Sequence, residues 1–254
     1  MVTPSLSIAG LHTHGAEGPW RAGPRAAIEW AAGVGFRSLH LDATAPGVRA
    51  RELDRSGRRD LASTLRRHGL GFTGLDLWIP AEHFAEPAHA DRALSAVISA
   101  AGLAGELAGL LGSGSPVVSV TLPEGFDGID AMAAGADASG AIIEDFGPDG
   151  EDDSRPAMVR PGLDTGRLLM RGDPPGKTFA RLANRLGSLR LNDADDTGRR
   201  PMGSGRLDPA MLLALHATLT ADLPVVTDLR GLDNPQRAAD AAVRGLGTDS
   251  GLTG

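Results

Sequence analysis

The chain contains no cysteine. That excludes disulfides, thiolate zinc sites, iron–sulfur clusters and a cysteine nucleophile, and it accords with a reducing compartment. There is no tyrosine, so no phenol serves as acid or base, and one lysine, Lys177, so Schiff-base chemistry would rest on a single amine. Positive charge is in deficit, with 32 acidic against 25 basic residues and a net charge of −7. A reader of phosphate backbones is ordinarily basic, which argues against nucleic acid as the partner. No stretch reads as the roughly 18 apolar residues that a bilayer span requires. The start, MVTPSLSIAGLHTHG, lacks the basic segment and apolar core of a signal peptide. The expectation is a cytoplasmic protein with no membrane segment.

What is present is a rhythm. Short β-rich runs cover 6–12, 38–43, 72–79, 116–122, 141–145, 159–164, 188–193 and 225–230. Helical patterns lie between them at 24–33, 51–68, 88–111, 128–138, 174–186, 208–221 and 235–246. Asp208-Pro209 and Asn234-Pro235 each place a capping side chain before a proline at the first helical position, and Gly69 supplies a left-handed helix end. The stretch 147–157 is too rich in Asp, Gly and Pro for a helix. Strands alternating with helices mean parallel βαβ units, and eight such units fill 254 residues as one α/β domain, a single (β/α)8 TIM barrel over 1–254. The rival, a doubly wound open sheet, usually carries a glycine-rich phosphate turn after its first strand. His12-Thr13-His14-Gly15 stands there instead, so no nucleotide cofactor is expected.

Barrel chemistry sits at the C-terminal ends of the strands, and strand side chains alternate inward and outward. Polar residues fall there with consistent parity: His12 on strand one, His40 and Asp42 on strand two, Asp76 and Trp78 on strand three. Glu144 follows on strand five, Asp164 on strand six, Arg190 and Asn192 on strand seven, and Asp228 and Arg230 on strand eight. Leucines take the opposite parity at 39, 41, 75, 77, 189 and 191. Each acid taken alone reads as a cap or a salt-bridge partner. Glu144, Asp164 and Asp228 together, with Arg230 alongside, read as a site. Carboxylates sharing a low-dielectric funnel need arginines or a cation, and an oxygen-liganded Mg²⁺ or Mn²⁺ is one solution.

These residues also carry a resemblance. Residues 26–36 (AAIEWAAGVGF) resemble the first helix and turn of the xylose isomerase-like TIM barrels, the sugar phosphate isomerase/epimerase superfamily. Ile142–Phe146 (IIEDF), Gly162–Gly166 (GLDTG), Leu189–Asp193 (LRLND) with Met202–Asp208 (MGSGRLD), and Val225–Arg230 (VVTDLR) are similar to its strands five to eight, in order. The resemblance implies a divalent metal held by Glu144, Asp164 and Asp228, with Glu144 and Asp228 as the acid/base pair moving a proton on a carbohydrate. Their place at the strand ends makes His12, Asp42, Asp76, Trp78, Arg190 and Arg230 the candidate substrate contacts. The ligand would be a small carbohydrate, and a homo-oligomer is left open because such barrels often pair.

Three positions depart from the pattern. Arg190 and Arg167 align with the family's strand-seven and strand-six histidines, and Phe146 with its strand-five histidine. Arginine is a permanent cation and cannot ligate a metal. The alternative is therefore a catalytically degenerate, metal-free barrel holding an anionic sugar-like ligand through its arginines. The branch of the superfamily that cuts abasic DNA needs a histidine-rich zinc cluster that this acidic chain lacks. The loop pair Arg199-Arg200 reads equally as an anion contact and as solvated surface. Lys177 falls on a helix, which disfavours a Schiff-base aldolase.

Overall fold

The computed structural model describes residues 3–219 and 222–247. In chain order the strands are β1 (Ser5–Ser7), β2 (Ser38–Asp42), β3 (Gly71–Asp76), β4 (Val117–Val120), β5 (Ile142–Asp145), β6 (Val159–Pro161), β7 (Leu163–Asp164), β8 (Leu189–Arg190), β9 (Asp193–Asp195), β10 (Gly198–Arg200) and β11 (Val225–Asp228). The helices are α1 (Pro24–Val34), α2 (Arg55–Arg67), α3 (Glu82–Ala85), α4 (Pro87–Leu111), α5 (Ile129–Ser139), α6 (Thr165–Arg171), α7 (Pro175–Leu182), α8 (Pro209–His216) and α9 (Pro235–Gly245). Nine strand segments pair in the order β6-β5-β4-β3-β2-β1-β11-β8-β7, all in parallel, while β9 and β10 form a separate antiparallel hairpin.

The two ends of that sheet, β6 and β7, are consecutive in the chain and separated only by Gly162. The expected sixth strand is thus one segment broken in the middle. Its first half pairs with β5 and its second half with β8, which closes eight strand positions into a barrel. Glycine is required at the break, because a Cβ at Gly162 would stand 2.5 Å from the Phe146 ring. A second glycine, Gly74, sits where the β2–β3 register shifts. Its φ of +157° brings its α-carbon so close to the carbonyl of Val117 that no side chain fits.

The leucines at 39, 41, 75, 189 and 191 are fully buried between sheet and helices, as their parity requires. Burying each contributes about 1.5–3 kcal/mol. Asp208 and Asn234 cap α8 and α9 by accepting the backbone N–H groups of Met211 and Arg237, and Gly69 takes the left-handed φ of +65°. No helix lies between β5 and β6, in keeping with the composition of 147–157.

Several boundaries differ from expectation, each for a local reason. Strand one stops at Ser7, because Gly10 turns the chain through a left-handed conformation into a 3₁₀ turn. The seventh barrel strand ends at Arg190, and the chain then swings out into the β9–β10 hairpin. Asp54 caps α2, so that helix begins four residues later than its charge pattern indicates. A helix not anticipated, α6, starts directly after Asp164. Helix α8 ends at His216, and Thr220 and Ala221, the expected end of that pattern, lie outside the described residues.

The expectation of no span-length apolar segment is corrected by α4. Its 25 residues include an 18-residue window of mean hydropathy 1.7, long and apolar enough by length and composition to cross a bilayer. Alanine and leucine, with Val97 and Ile98, raise its hydropathy without any uninterrupted bulky run. In the fold the helix packs on β3, β4, α2 and α5, and Val97, Ala101, Leu103, Ala104 and Leu107 are buried there.

Substituting Gly162→Ala is expected to cost about 2 kcal/mol of unfolding free energy by overpacking against Phe146. Urea denaturation measures this. In the Phe146→Leu background the same substitution should cost less than half as much, and equal costs in both backgrounds would contradict the steric account.

Candidate functional site

The interior of the barrel is polar where side chains of strand-interior parity meet. Ser7 on β1, His40 on β2, Asp76 on β3, Ser119 on β4, Glu144 on β5, Arg190 on β8 and Asp228 on β11 point inward, and Ser188 joins them beside β8. None is more than 2 % exposed. An unpaired charge at such a depth is prohibitive, so the network must be closed on itself.

Arg190 is its centre. Its Nη2 donates to the Asp76 carboxylate and to Ser119 Oγ at 2.8 Å, and its Nη1 donates to Asp228 Oδ2 at 3.3 Å. Asp76 is held from its other side by Ser7 Oγ at 2.5 Å. Glu144 accepts from Ser119 Oγ at 2.8 Å and from Ser188 Oγ at 2.5 Å. Asp228 also accepts from Arg199 Nη1 at 2.5 Å and from Arg230 Nη2 at 3.0 Å. Above this layer Trp78 lies within cation–π range of Arg190, at 5.2 Å from the ring centroid, and of Arg230, at 3.9 Å. Phe146 packs on both, 5.2 Å from Arg190 and 5.5 Å from Trp78. The position matching the family's strand-five histidine is therefore part of an aromatic cover over a guanidinium.

Burial and neighbours set the charges. Burial would lower the Arg190 pKa, but Asp76, Glu144 and Asp228 overcome it and the cation is permanent. Burial raises the Glu144 pKa above the usual carboxylate value despite Arg190 and the two serines. Burial would raise Asp228 as well, yet Arg199, Arg230 and Arg190 prevail and hold it far below the usual range. His40 is pushed down to about 4, chiefly by burial, with Arg190 reinforcing and Asp76 opposing. Its ring nitrogens approach Thr73 Oγ1 at 3.2 Å and Ser119 Oγ at 3.4 Å, and the Leu75 backbone also bonds the ring.

The structure brings together Asp76, Trp78, Glu144, Arg190, Asp228 and Arg230 of the anticipated set. It does not bring Asp164, Asp42 or His12 into their hydrogen-bonded network. Asp164 caps α6, with Oδ1 accepting the N–H groups of Gly166 and Arg167. Asp42 accepts from Gly10 N and from Thr44 N and Oγ1, which fixes the turns after β1 and β2, and His12 Nδ1 lies 3.2 Å from its Oδ2. His14 bonds Leu232 O and Ala16 N, a structural role. Arg167 donates to Phe146 O. Within the pair after β8, Arg199 reaches Asp228 while Arg200 bonds Asp195. The segment Met202–Asp208 is also structural, since Asp193 accepts the N–H groups of Gly203, Gly205 and Leu207.

This donor set does not fit a divalent cation. Among the described residues no group of three or more His, Asp or Glu side chains is placed to hold a metal ion. The oxygens of Glu144 face serine hydroxyls, Oδ1 of Asp164 accepts backbone N–H groups, and the oxygens of Asp228 face three guanidiniums. Arg190 supplies a positive charge at the centre of the funnel.

Known proteins share the fold at low identity. A xylose isomerase-like TIM barrel protein from Mycobacterium smegmatis, in complex with magnesium, superposes with a TM-score of 0.71 at 13 % identity over 98 % of this chain and 96 % of that one. The fold is that of the xylose isomerase-like TIM barrels. A D-psicose 3-epimerase, studied in the presence of D-fructose, matches with a TM-score of 0.66 at 15 % identity, covering 96 % of this chain and 99 % of that one. A 3-keto-D-glucoside 4-epimerase from E. coli matches with a TM-score of 0.66 at 14 % identity, covering 96 % and 98 %. No protein-family model matches the sequence, and no curated protein matches it.

Sequence reading missed the serines. Ser7, Ser119 and Ser188 were overlooked as bland strand residues, although their inward parity was visible. His40, neutral at physiological pH, is expected to destabilise the fold on acidification. Its folded pKa lies below the ordinary 6.5, so its contribution is intact above 6.5 and is lost as pH falls toward about 4. The loss is of the order of 3 kcal/mol. Chemical denaturation across that window checks it, and His40→Gln should flatten the acid limb.

Proposed function

We propose that this chain is a carbohydrate-binding barrel of the sugar isomerase/epimerase kind that works without a divalent metal and takes an anionic sugar, either a sugar acid or a sugar phosphate. The observation that carries the reading is the arginine cluster around Asp228. Arg190, Arg199 and Arg230 converge on one carboxylate, and each keeps a buried Nε–H without an acceptor, as does the Nδ2 of Asn192 beside them. Three guanidiniums face Asp76 and Asp228, while burial favours the protonated form of Glu144, so cations exceed firmly ionised carboxylates. An oxyanion with several acceptor oxygens answers both the charge and the orphaned donors. The Trp78 indole supplies an apolar wall of the kind on which a sugar ring stacks. The structural likeness to a D-psicose 3-epimerase and a 3-keto-D-glucoside 4-epimerase supports the carbohydrate class.

Calorimetric titration over sugar phosphates and sugar acids tests this. Arg230→Ala, at the partly exposed rim, should weaken the best ligand about 10- to 100-fold, the range for a hydrogen bond to a charged group. Added Mn²⁺ or chelator should leave the affinity unchanged. Metal-dependent binding, or an affinity indifferent to Arg230, would overturn the reading.

One observation favours a second reading, in which the barrel is an active isomerase or epimerase. Burial pushes Glu144 toward its acid form while arginines hold Asp228 as a base, a separation typical of acid/base pairs. If the two shuttle a proton, ketoses incubated in D₂O will exchange the hydrogen next to the carbonyl, seen by NMR, and Glu144→Gln and Asp228→Asn will each abolish the exchange. No exchange with any ketose or its phosphate leaves a binding protein.

A further inference from the structure

A second cleft opens on the same face of the barrel, away from Arg190. Its volume is 630 Å³, within the range of small-molecule sites. It lies between the ends of β2 and β3, the turn around Arg51, and α3 with the first turns of α4. Leu77 and Ile79 from the end of β3 form an apolar floor, and Ala93, Ala96 and Ala100 of α4 leave room above it because they are small.

The rim is cationic. Arg49, Arg51 and Arg92 line the cleft against a single acid, Asp91. Arg49 is engaged by Glu52 and by the carbonyl of Thr44. Among the described residues Arg51 and Arg92 make no hydrogen bond or ion pair, and both are exposed toward the opening. His83 and His89 bring their rings to 5.1 Å of each other at the same rim, with His89 Nε2 3.5 Å from the Glu86 carboxylate. None of these side chains joins the arginine cluster at Asp228.

We infer that this lateral cleft is a second ligand site, for an amphipathic organic anion whose carboxylate or phosphate meets Arg51 and Arg92 and whose hydrocarbon or aromatic body lies on Leu77 and Ile79. A fully hydroxylated sugar would forfeit the apolar floor, and a bare inorganic anion would leave it empty. The two sites thus select different chemistry on one face. The inference stands whether or not the arginine cluster binds a sugar.

The absence of cysteine provides a local reporter. Ser99→Cys, at an exposed position of the cleft, accepts a single environment-sensitive fluorophore. Hexanoate and phenyl phosphate are expected to give saturable titrations, and hexanol and inorganic phosphate to bind at least 10-fold more weakly. Combining Arg51→Ala with Arg92→Ala should weaken hexanoate at least 10-fold, and Arg92→Lys in the Arg51 wild-type background should restore most of it. These are surface positions, and the circular dichroism of the variants checks the fold. No saturable response, equal binding of hexanol, or a response insensitive to both arginines but lost in Arg230→Ala would overturn the proposal.

Discussion

A guanidinium that never sees water governs this barrel. Arg190 is fully buried, and its charge does not titrate away under any ordinary condition. Removing such an ion from water costs several kcal/mol even after relaxation, and removing one partner of a buried pair costs about 3–5 kcal/mol. The surrounding residues must therefore be read as what makes Arg190 tolerable. Asp76 and Asp228 balance it, Ser119 takes a further N–H, and the rings of Trp78 and Phe146 cover what remains. Asp76 and Trp78 come from the end of β3, Ser119 from β4, Phe146 from the end of β5 and Asp228 from β11, so the arginine on β8 ties these strands together. An interior usually filled by branched aliphatic side chains becomes a hydrogen-bonded layer instead.

The same constraint accounts for the smaller residues. Serine is short enough to stand inside a narrow barrel, and it both donates and accepts. Ser119 accepts from Arg190 and donates to Glu144 with one hydroxyl. Ser188 completes Glu144, and Ser7 completes Asp76. Gly74 lets β3 approach β4 beside His40, and Gly162 lets β6 and β7 bend around Phe146. Substituting any of the three serines would disturb a charge network rather than a simple packing contact.

Much of this frame was legible in the sequence, and the illegible part has a physical cause. Parity put Leu39, Leu41, Leu75, Leu189 and Leu191 toward the helices and His40, Asp76, Glu144, Arg190 and Asp228 inward, because period-two alternation needs no knowledge of partners. The caps at Asp208 and Asn234 were equally local. Partner choice was not local. Asp164 has the residue type and place of a strand-end ligand, but Thr165-Gly166 after it starts a helix, and a cap needs only two backbone N–H groups from that turn. Asp42 was claimed in the same way by the turns at Gly10 and Thr44. Arg199 sits nine residues beyond Arg190, in a hairpin that no periodicity announces, yet it reaches the same carboxylate.

One cation at the centre of a barrel changes what its strand-end carboxylates can do. A divalent ion demands several oxygen or imidazole donors aimed at one point, and leaves open positions where substrate oxygens bind. A guanidinium demands acceptors around a plane and offers its spare N–H groups outward. With Arg190 in the centre, Asp76, Ser119 and Asp228 are oriented toward nitrogen. Arg199 and Arg230, both bonded to Asp228, are the partly exposed members of the cluster. The proposed function follows from this: such a surface would select for negative charge on the ligand itself rather than for hydroxyls that a metal would chelate. On the reading proposed above, the arginine at the position that the resemblance gives to a strand-seven histidine exchanges a site that polarises a neutral sugar for one that holds an anionic one.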